Sequence, residues 1–230
     1  MPELWVAQLG LMPYGEALDL QRQVARARIA GTVAEDVLLL LEHPPVVTLG
    51  RTSKEANLMS SPEFLASRGI ELFEVERGGD VTFHGPGQLV GYPIIDLKRH
   101  KQDLHWYLRQ VEEALVLALA LYSISAERNP GRTGVWTGGR KIASIGVHAR
   151  DWVTWHGFAL NVTTDLAYFD LIVPCGITGV VMTSIARELG KTTTIEDASR
   201  EVSRSFASVF SLDVEMVSRA DLLAHLANAG

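Results

Sequence analysis

Residues Lys141–Val162, KIASIGVHARDWVTWHGFALNV, decide the fold class. Lys141 to Ala149 alternates apolar with polar residues, and Thr154 to Val162 is again rich in aromatic and β-branched residues, so each half reads as a strand. Too few residues separate them for an intervening helix, so the two must run antiparallel. Val135-Trp136 just upstream adds a third strand in the same style. Strands gathered in hairpins, instead of strict alternation with helices, point to α+β and away from a doubly wound sheet.

Working outward, Trp5 to Leu9 reads as a strand and Tyr14 to Ala30 as a helix. The run DVLLLLE, Asp36 to Glu42, is continuously apolar, as a strand covered on both faces must be. His43-Pro44-Pro45 breaks it, and Val46 to Leu49 is expected to return as its hairpin partner. Ser61-Pro62 starts a short helix, a capping hydroxyl followed by proline at the first helical position. Glu71 to Glu76, Val81 to His84 and Leu89 to Leu97 read as strands. Asp103 caps a helix with Leu104, Tyr107, Leu108, Val111, Leu115, Ala118 and Tyr122 at three-and-four spacing. Thr194 and Asp197 open another, carrying Ile195, Ala198, Val202, Phe206 and Val209, and a last helix spans Ala220 to Ala227. No repeat or linker interrupts the chain, so residues 1–230 are expected to form one domain.

The chain is 47% hydrophobic and 21% charged, the balance of a soluble globular protein. Its longest aliphatic run, Leu115 to Leu121, is too short to cross a bilayer, and no membrane partner is expected. A net charge of −6 argues against a nucleic-acid partner. The single cysteine excludes an internal disulfide and points to a reducing compartment, the cytoplasm. One local exception to the acidic balance is Arg128 to Arg150, which holds Arg128, Arg132, Arg140, Lys141 and Arg150 without an acid. It reads either as a solvated face or as a positive surface for an acidic partner.

Within the glycine-rich segment Arg77–Leu97, RGGDVTFHGPGQLVGYPIIDL, the stretch His84-Gly85-Pro86-Gly87 with Gly91 superficially resembles a dinucleotide fingerprint. That fingerprint needs a helix directly after it, and LVGYPIIDL is strand-like. No phosphate-binding loop of the G-x-x-x-x-G-K-[ST] kind occurs either. Glycines placed among strands instead imply that backbone comes close to a ligand or bends around it. Cys175 lies in VPCGITG, where Pro174 and Gly176 mark a loop that presents a side chain. A thiol there needs a nearby cation to become a thiolate at neutral pH. Lys141 is the candidate, either a solvated strand start or a lysine over an apolar cavity. His84, His148, His156 and Cys175 lack the short spacing of zinc ligands, so no metal is expected. His225 is the only histidine downstream of Cys175, which also disfavours a papain-like pair.

Taken together, RGGDVTFHGPGQLVGYPIIDL, GRKIASIGVHARDWVTWHGFALNV and PCGITGVVMTS, with EHPPVVTLGR at Glu42 to Arg51, resemble the octanoyl-carrier-protein:protein octanoyltransferases of lipoate biosynthesis, the LipB family. The resemblance implies a mixed, largely antiparallel sheet flanked by helices, similar to biotin and lipoate protein ligase catalytic domains. It implies transfer of an octanoyl or lipoyl group from acyl carrier protein to a lysine of lipoyl-domain proteins, through a cysteine thioester and without a cofactor. The acceptors it implies are the E2 subunits of 2-oxoacid dehydrogenases and the glycine cleavage H protein. Carried over residue by residue, Cys175 matches the acyl-accepting nucleophile and Lys141 the residue that activates it. Arg77, Gly78, Gly79, Asp80, Val81, Thr82, Phe83 and His84 match one acyl-lining segment. Ser144, Ile145 and Gly146 match a second, and Gly157, Phe158 and Ala159 a third. Asp80 and Phe83 depart from the longer polar residue and the tyrosine or tryptophan common in the family, which touches acyl-pocket detail and leaves the reaction type alone.

Overall fold

Local chemistry sets the ends of the helices. Asp103 Oδ1 accepts from the Trp106 N–H at 3.0 Å, and Thr194 Oγ1 accepts from the Asp197 N–H at 3.0 Å; caps of this kind are worth about 1 kcal/mol each. Ser61 caps its helix in the same way, through the Phe64 N–H. The computed structural model describes residues 2–176 and 179–227, and of Cys175 the backbone alone.

In chain order the elements are β1 (Glu3–Leu11), α1 (Tyr14–Ala30), β2 (Asp36–Glu42), β3 (Val46–Leu49), α2 (Pro62–Ser67), β4 (Glu71–Glu74), β5 (Val81–His84) and β6 (Gln88–Ile94). There follow α3 (Leu104–Ala120), β7 (Glu127–Asn129), β8 (Arg132–Thr137), β9 (Arg140–Arg150) and β10 (Val153–Asn161). The chain closes with α4 (Ile185–Leu189), α5 (Ile195–Phe210), β11 (Asp213–Met216) and α6 (Arg219–Ala227). Eight strands form one mixed sheet in the order β11-β1-β2-β6-β10-β9-β8-β7. β1 pairs in parallel with both β2 and β11, and the remaining neighbours are antiparallel. The α+β reading and the β8–β9–β10 succession therefore hold.

Both faces of the large sheet are covered, which explains the unbroken apolar run of β2. Leu38 and Leu40 join Leu89, Phe158 and Leu160 beneath α3 and α5. Val37, Leu39 and Leu41 join Val90 and Ala159 beneath α1. Each such buried side chain contributes about 1.5–3 kcal/mol relative to exposure.

The expected β2–β3 hairpin is not formed. β3 leaves the large sheet and lies at the centre of a second, three-stranded one, parallel to β4 and antiparallel to β5. The two prolines after His43 turn the chain out of the first sheet, because proline cannot continue a ladder. This small sheet positions the glycine-rich segment, and β7, β11 and α4 are elements that the sequence reading did not contain.

Candidate active site

A cavity of about 730 Å³ opens where the small sheet meets the β9–β10 hairpin. Its volume falls in the range of about 300–1,000 Å³ usual for small-molecule sites. One wall is the segment Arg77, Gly78, Gly79, Asp80, Thr82 and His84. The facing wall is Ser144, Ile145 and Gly146 from β9, with Gly157, Phe158 and Ala159 from β10. The walls are stitched together by the Gly78 N–H, which donates to the Val147 carbonyl at 2.8 Å. A Cβ on Gly146 would stand 2.8 Å from the Gly78 carbonyl oxygen, so glycine at this point allows the approach.

Val81 and Phe83 are the exceptions within that run. Successive residues of a strand face opposite ways, and these two turn away from the cavity into a satellite core with Val47, Leu65 and Ile70. Phe83 stacks on Tyr168 with ring centroids 4.6 Å apart. Alternation within the run was legible; of its eight residues, Val81 and Phe83 are the two that do not line the cavity. Asp80 also has a structural task. Its carboxylate accepts from the Asn57 side chain and from the backbone N–H groups of Lys54 and Val81, closing the loop against the cavity.

Arg77 is buried, and its guanidinium donates to the Thr48 carbonyl at 2.7 Å and the Thr48 hydroxyl at 2.8 Å. It thus joins the glycine segment to β3.

Lys141 is 1% exposed, so it is not a solvated strand start. Its ammonium lies 5.0 Å from the centre of the Trp136 ring, a favourable place for a cation removed from water. The strand start is covered because Val181–Thr183 anneals to it. The Lys141 N–H donates to the Val181 carbonyl at 2.8 Å, and the Thr183 N–H donates to the Lys141 carbonyl at 2.9 Å.

Cys175 belongs to the turn Pro174–Gly176, which packs on β5. Gly176 lines the cavity with φ +65. The Cys175 side chain lies outside the described residues. Among those residues the turn is held upstream by the Val173 N–H, which donates to the Asn57 carbonyl at 2.8 Å.

Behind the cavity lies a neutral polar network that the sequence reading missed. His43 Nδ1 faces the Met12 carbonyl at 2.8 Å and must donate to it, so His43 Nε2 accepts from the Tyr92 hydroxyl at 2.6 Å. Burial pushes the His43 pKa down to about 4. His84 Nδ1 lies 2.8 Å from Gln88 Oε1, and burial followed by the neighbouring His43 pushes its pKa down to about 3. Gln88 and Tyr92 stand inside the quoted glycine block, and that proximity was the available signal. His156 and Tyr14 also line the cavity. His156 adopts φ +55, uncommon for a residue with a side chain, and its buried Nε2 has no hydrogen-bond partner among the described residues.

The basic stretch does not form one surface. Arg128 pairs with Glu112 and Glu113, Arg140 with Glu188, and Arg150 lies beside Asp151 at the far end of β9. Of these arginines, only Arg132 lines the cavity.

Residues 13–207 match the family model described as the lipoyl protein ligase A/B catalytic domain. An octanoyltransferase from Solibacter usitatus is 52% identical over 217 residues, covering 94% of this chain and 96% of that protein. One from Rubrobacter xylanophilus is 52% identical over 202 residues, covering 87% of this chain and 90% of that protein. Among solved structures, lipoate-protein ligase A bound with ATP superposes with a TM-score of 0.79 at 19% identity, over 98% of this chain and 93% of the other. A bipartite lipoate protein ligase from Thermoplasma acidophilum, described with its E2 lipoyl domain, gives 0.78 at 17% identity, over 99% and 91%. At those identities the structural likeness concerns the fold.

Proposed function

Because the chain belongs to the lipoyl protein ligase A/B catalytic-domain family and its relatives at half identity are octanoyltransferases, it is an acyltransferase. We propose that it moves an octanoyl or lipoyl group from acyl carrier protein to a lysine of a lipoyl domain, by way of a thioester on Cys175. The observation that carries this reading is the burial of Lys141 at the start of a cavity-lining strand, covered by the segment that follows the Cys175 turn. The chain works as a single catalytic domain in the cytoplasm; no helix among its described residues is long and apolar enough to cross a membrane.

In the first step the Cys175 thiolate attacks the donor thioester, and the departing carrier thiolate takes a proton from the Lys141 ammonium. One thioester replaces another, so the step needs no ATP. In the second step the lysine amine attacks the enzyme-bound thioester, the C–N bond forms, the C–S bond breaks, and Lys141 takes a proton from nitrogen. Splitting one meeting of two proteins into two separate visits is the gain from covalent catalysis. The glycine-lined walls would take the acyl chain; within the turn Pro174 has no N–H and the Gly176 N–H donates to the Val173 carbonyl at 2.9 Å, so the Cys175 N–H is the donor proposed for the developing oxyanion. E2 subunits of 2-oxoacid dehydrogenases and the glycine cleavage H protein are the proposed acceptors, in keeping with the lipoyl domain named with the Thermoplasma ligase.

Incubation with octanoyl carrier protein, without ATP, is expected to add one octanoyl group by intact mass. The adduct should be removable by hydroxylamine and absent in Cys175→Ala. An adduct that survives in Cys175→Ala, or that forms only with ATP, overturns the reading in favour of another nucleophile or a ligase. Lys141→Ala should lower transfer to the acceptor lysine about a hundredfold or more, by loss of the base.

A further inference from the structure

The amide orientations in the network behind the cavity can be deduced one from the next. Asn161 Nδ2 donates to the Thr183 carbonyl at 3.0 Å, so its Oδ1 is the atom facing Gln88 Nε2 at 2.9 Å. That same Nε2 lies 3.3 Å from the Phe83 carbonyl, and two acceptors there require the NH2 group. Gln88 Oε1 is therefore the atom 2.8 Å from His84 Nδ1, which must carry the proton. A neutral imidazole protonated at Nδ1 has its lone pair on Nε2. His84 lines the cavity, its strand packs against the Cys175 turn, and no donor among the described residues is spent on Nε2.

We propose that His84 is a further catalytic residue: its Nε2 lone pair accepts a hydrogen bond from the amine that attacks the acyl group, with Gln88 and Asn161 as the positioning residues that fix the tautomer. The inference rests on the two-step reading above. A neutral lysine amine carries two N–H bonds. One goes to His84 and stays there, and the proton of the other passes to Lys141 as the C–N bond forms and the electron pair of the C–S bond leaves with sulfur. Held at two points, the nitrogen lone pair is aimed at the carbonyl carbon. His84 does not itself take the proton, since its imidazole is a weak base with a pKa near about 3. The same network ends at the Thr183 carbonyl, and the Thr183 N–H is bonded to the Lys141 carbonyl. Both groups that meet the amine are thus referred to one frame.

The test separates the two half-reactions in the full-length protein. Octanoyl-enzyme is formed from octanoyl carrier protein, isolated, and mixed with a lipoyl-domain acceptor, each step being followed by rapid quench and intact mass. His84→Ala should leave acylation of Cys175 within about threefold and slow amine transfer about tenfold, as the loss of one neutral hydrogen bond does. Equal losses in both steps, or unchanged transfer, overturn the proposal. Gln88→Glu supplies a second readout: one carboxylate oxygen still accepts from Nδ1–H and makes the imidazole more basic, while the other loses the two bonds that Gln88 Nε2 donates, so its rates are taken per folded molecule. The groups around that ring are Tyr14 from α1, His43 after β2, Arg77 before β5 and His156 from β10. In Gln88→Glu, amine transfer should acquire an acid limb absent from the wild type, falling as pH drops through the raised pKa, while acylation acquires none. Coincident profiles count against the proposal. If the wild type forms no octanoyl-enzyme, the two-step reading falls and takes this inference with it; if it forms and transfers with no dependence on His84, only this inference falls.

Discussion

Two buried polar networks of this molecule are built on opposite rules. At the edge of α1, Asp36 accepts from Arg28 at 2.8 Å, from the Asp96 N–H at 2.9 Å and from His100 at 2.7 Å. Charge there is paired, and both oxygens are in use. Behind the cavity, His43, Tyr92, His84, Gln88 and Asn161 form chains of neutral hydrogen bonds. That second network keeps acceptor capacity on the cavity side. A network whose acceptors are all taken can only hold the fold together, whereas one with an acceptor left open on a single side can receive a ligand.

The largest expected effect falls on the ionic network. Asp36→Asn leaves Arg28 buried without its counter-charge and should lower stability by about 3–5 kcal/mol, read as a drop in urea midpoint. Octanoyl transfer per folded molecule should be unchanged; loss of transfer in molecules that remain folded would break the division of labour.

A second effect separates the networks by pH. Burial raises the Asp36 pKa, but the bonds from His100, the Asp96 N–H and Arg28 outweigh it and leave the group below its ordinary value. Its contribution is present above the unfolded carboxyl pKa and lost as pH falls below about 4. His43 works in another window. Its folded pKa of about 4 lies below the unfolded 6.5, so the unfolded chain binds the extra proton and stability falls as pH drops from about 6.5 to about 4. Urea titrations across pH should show this upper limb, to which His84 with its pKa of about 3 also contributes, and His43→Asn should make it shallower while leaving the lower one. A single limb confined below pH 4 would contradict the assignment.

The smallest effect tests the cost of one neutral bond. Tyr92→Phe leaves His43 Nε2 without its donor and should cost about 1 kcal/mol in urea unfolding. A loss as large as that of Asp36→Asn would mean that the two networks are not energetically distinct.

The contrast also separates what was legible in the sequence from what was not. The limits of α1, β2, β5 and α3 follow from breaks, caps and periodicity, and all are local. The partner of β3 is not, because Val46–Leu49 carries no mark of which sheet it will join. β11, four exposed residues reading DVEM, has no apolar face to announce it. At the site, Lys141 was readable as either solvated or buried, and only the return of Val181–Thr183 onto its strand decides between them. The alternation of β5 was plain, yet which parity faces the cavity depends on the satellite core that collects Val81 and Phe83. The polar network was missed because its members are brought together by tertiary packing from β5, β6, β10 and the turn after β2.

The position of β1 has a consequence for the chain while it is being made. Of the eight strands of the large sheet, β1 is the first in chain order, and its outer neighbour, β11, is the last. Trp5 and Glu215, joined across that seam by a 2.9 Å hydrogen bond, are 210 positions apart. At the usual elongation rates the wait between them is on the order of ten to forty seconds. Until β11 emerges, the outer edge of β1 lacks the partner that it has in the folded protein, and an unpaired strand edge is the kind of surface that invites pairing with other chains.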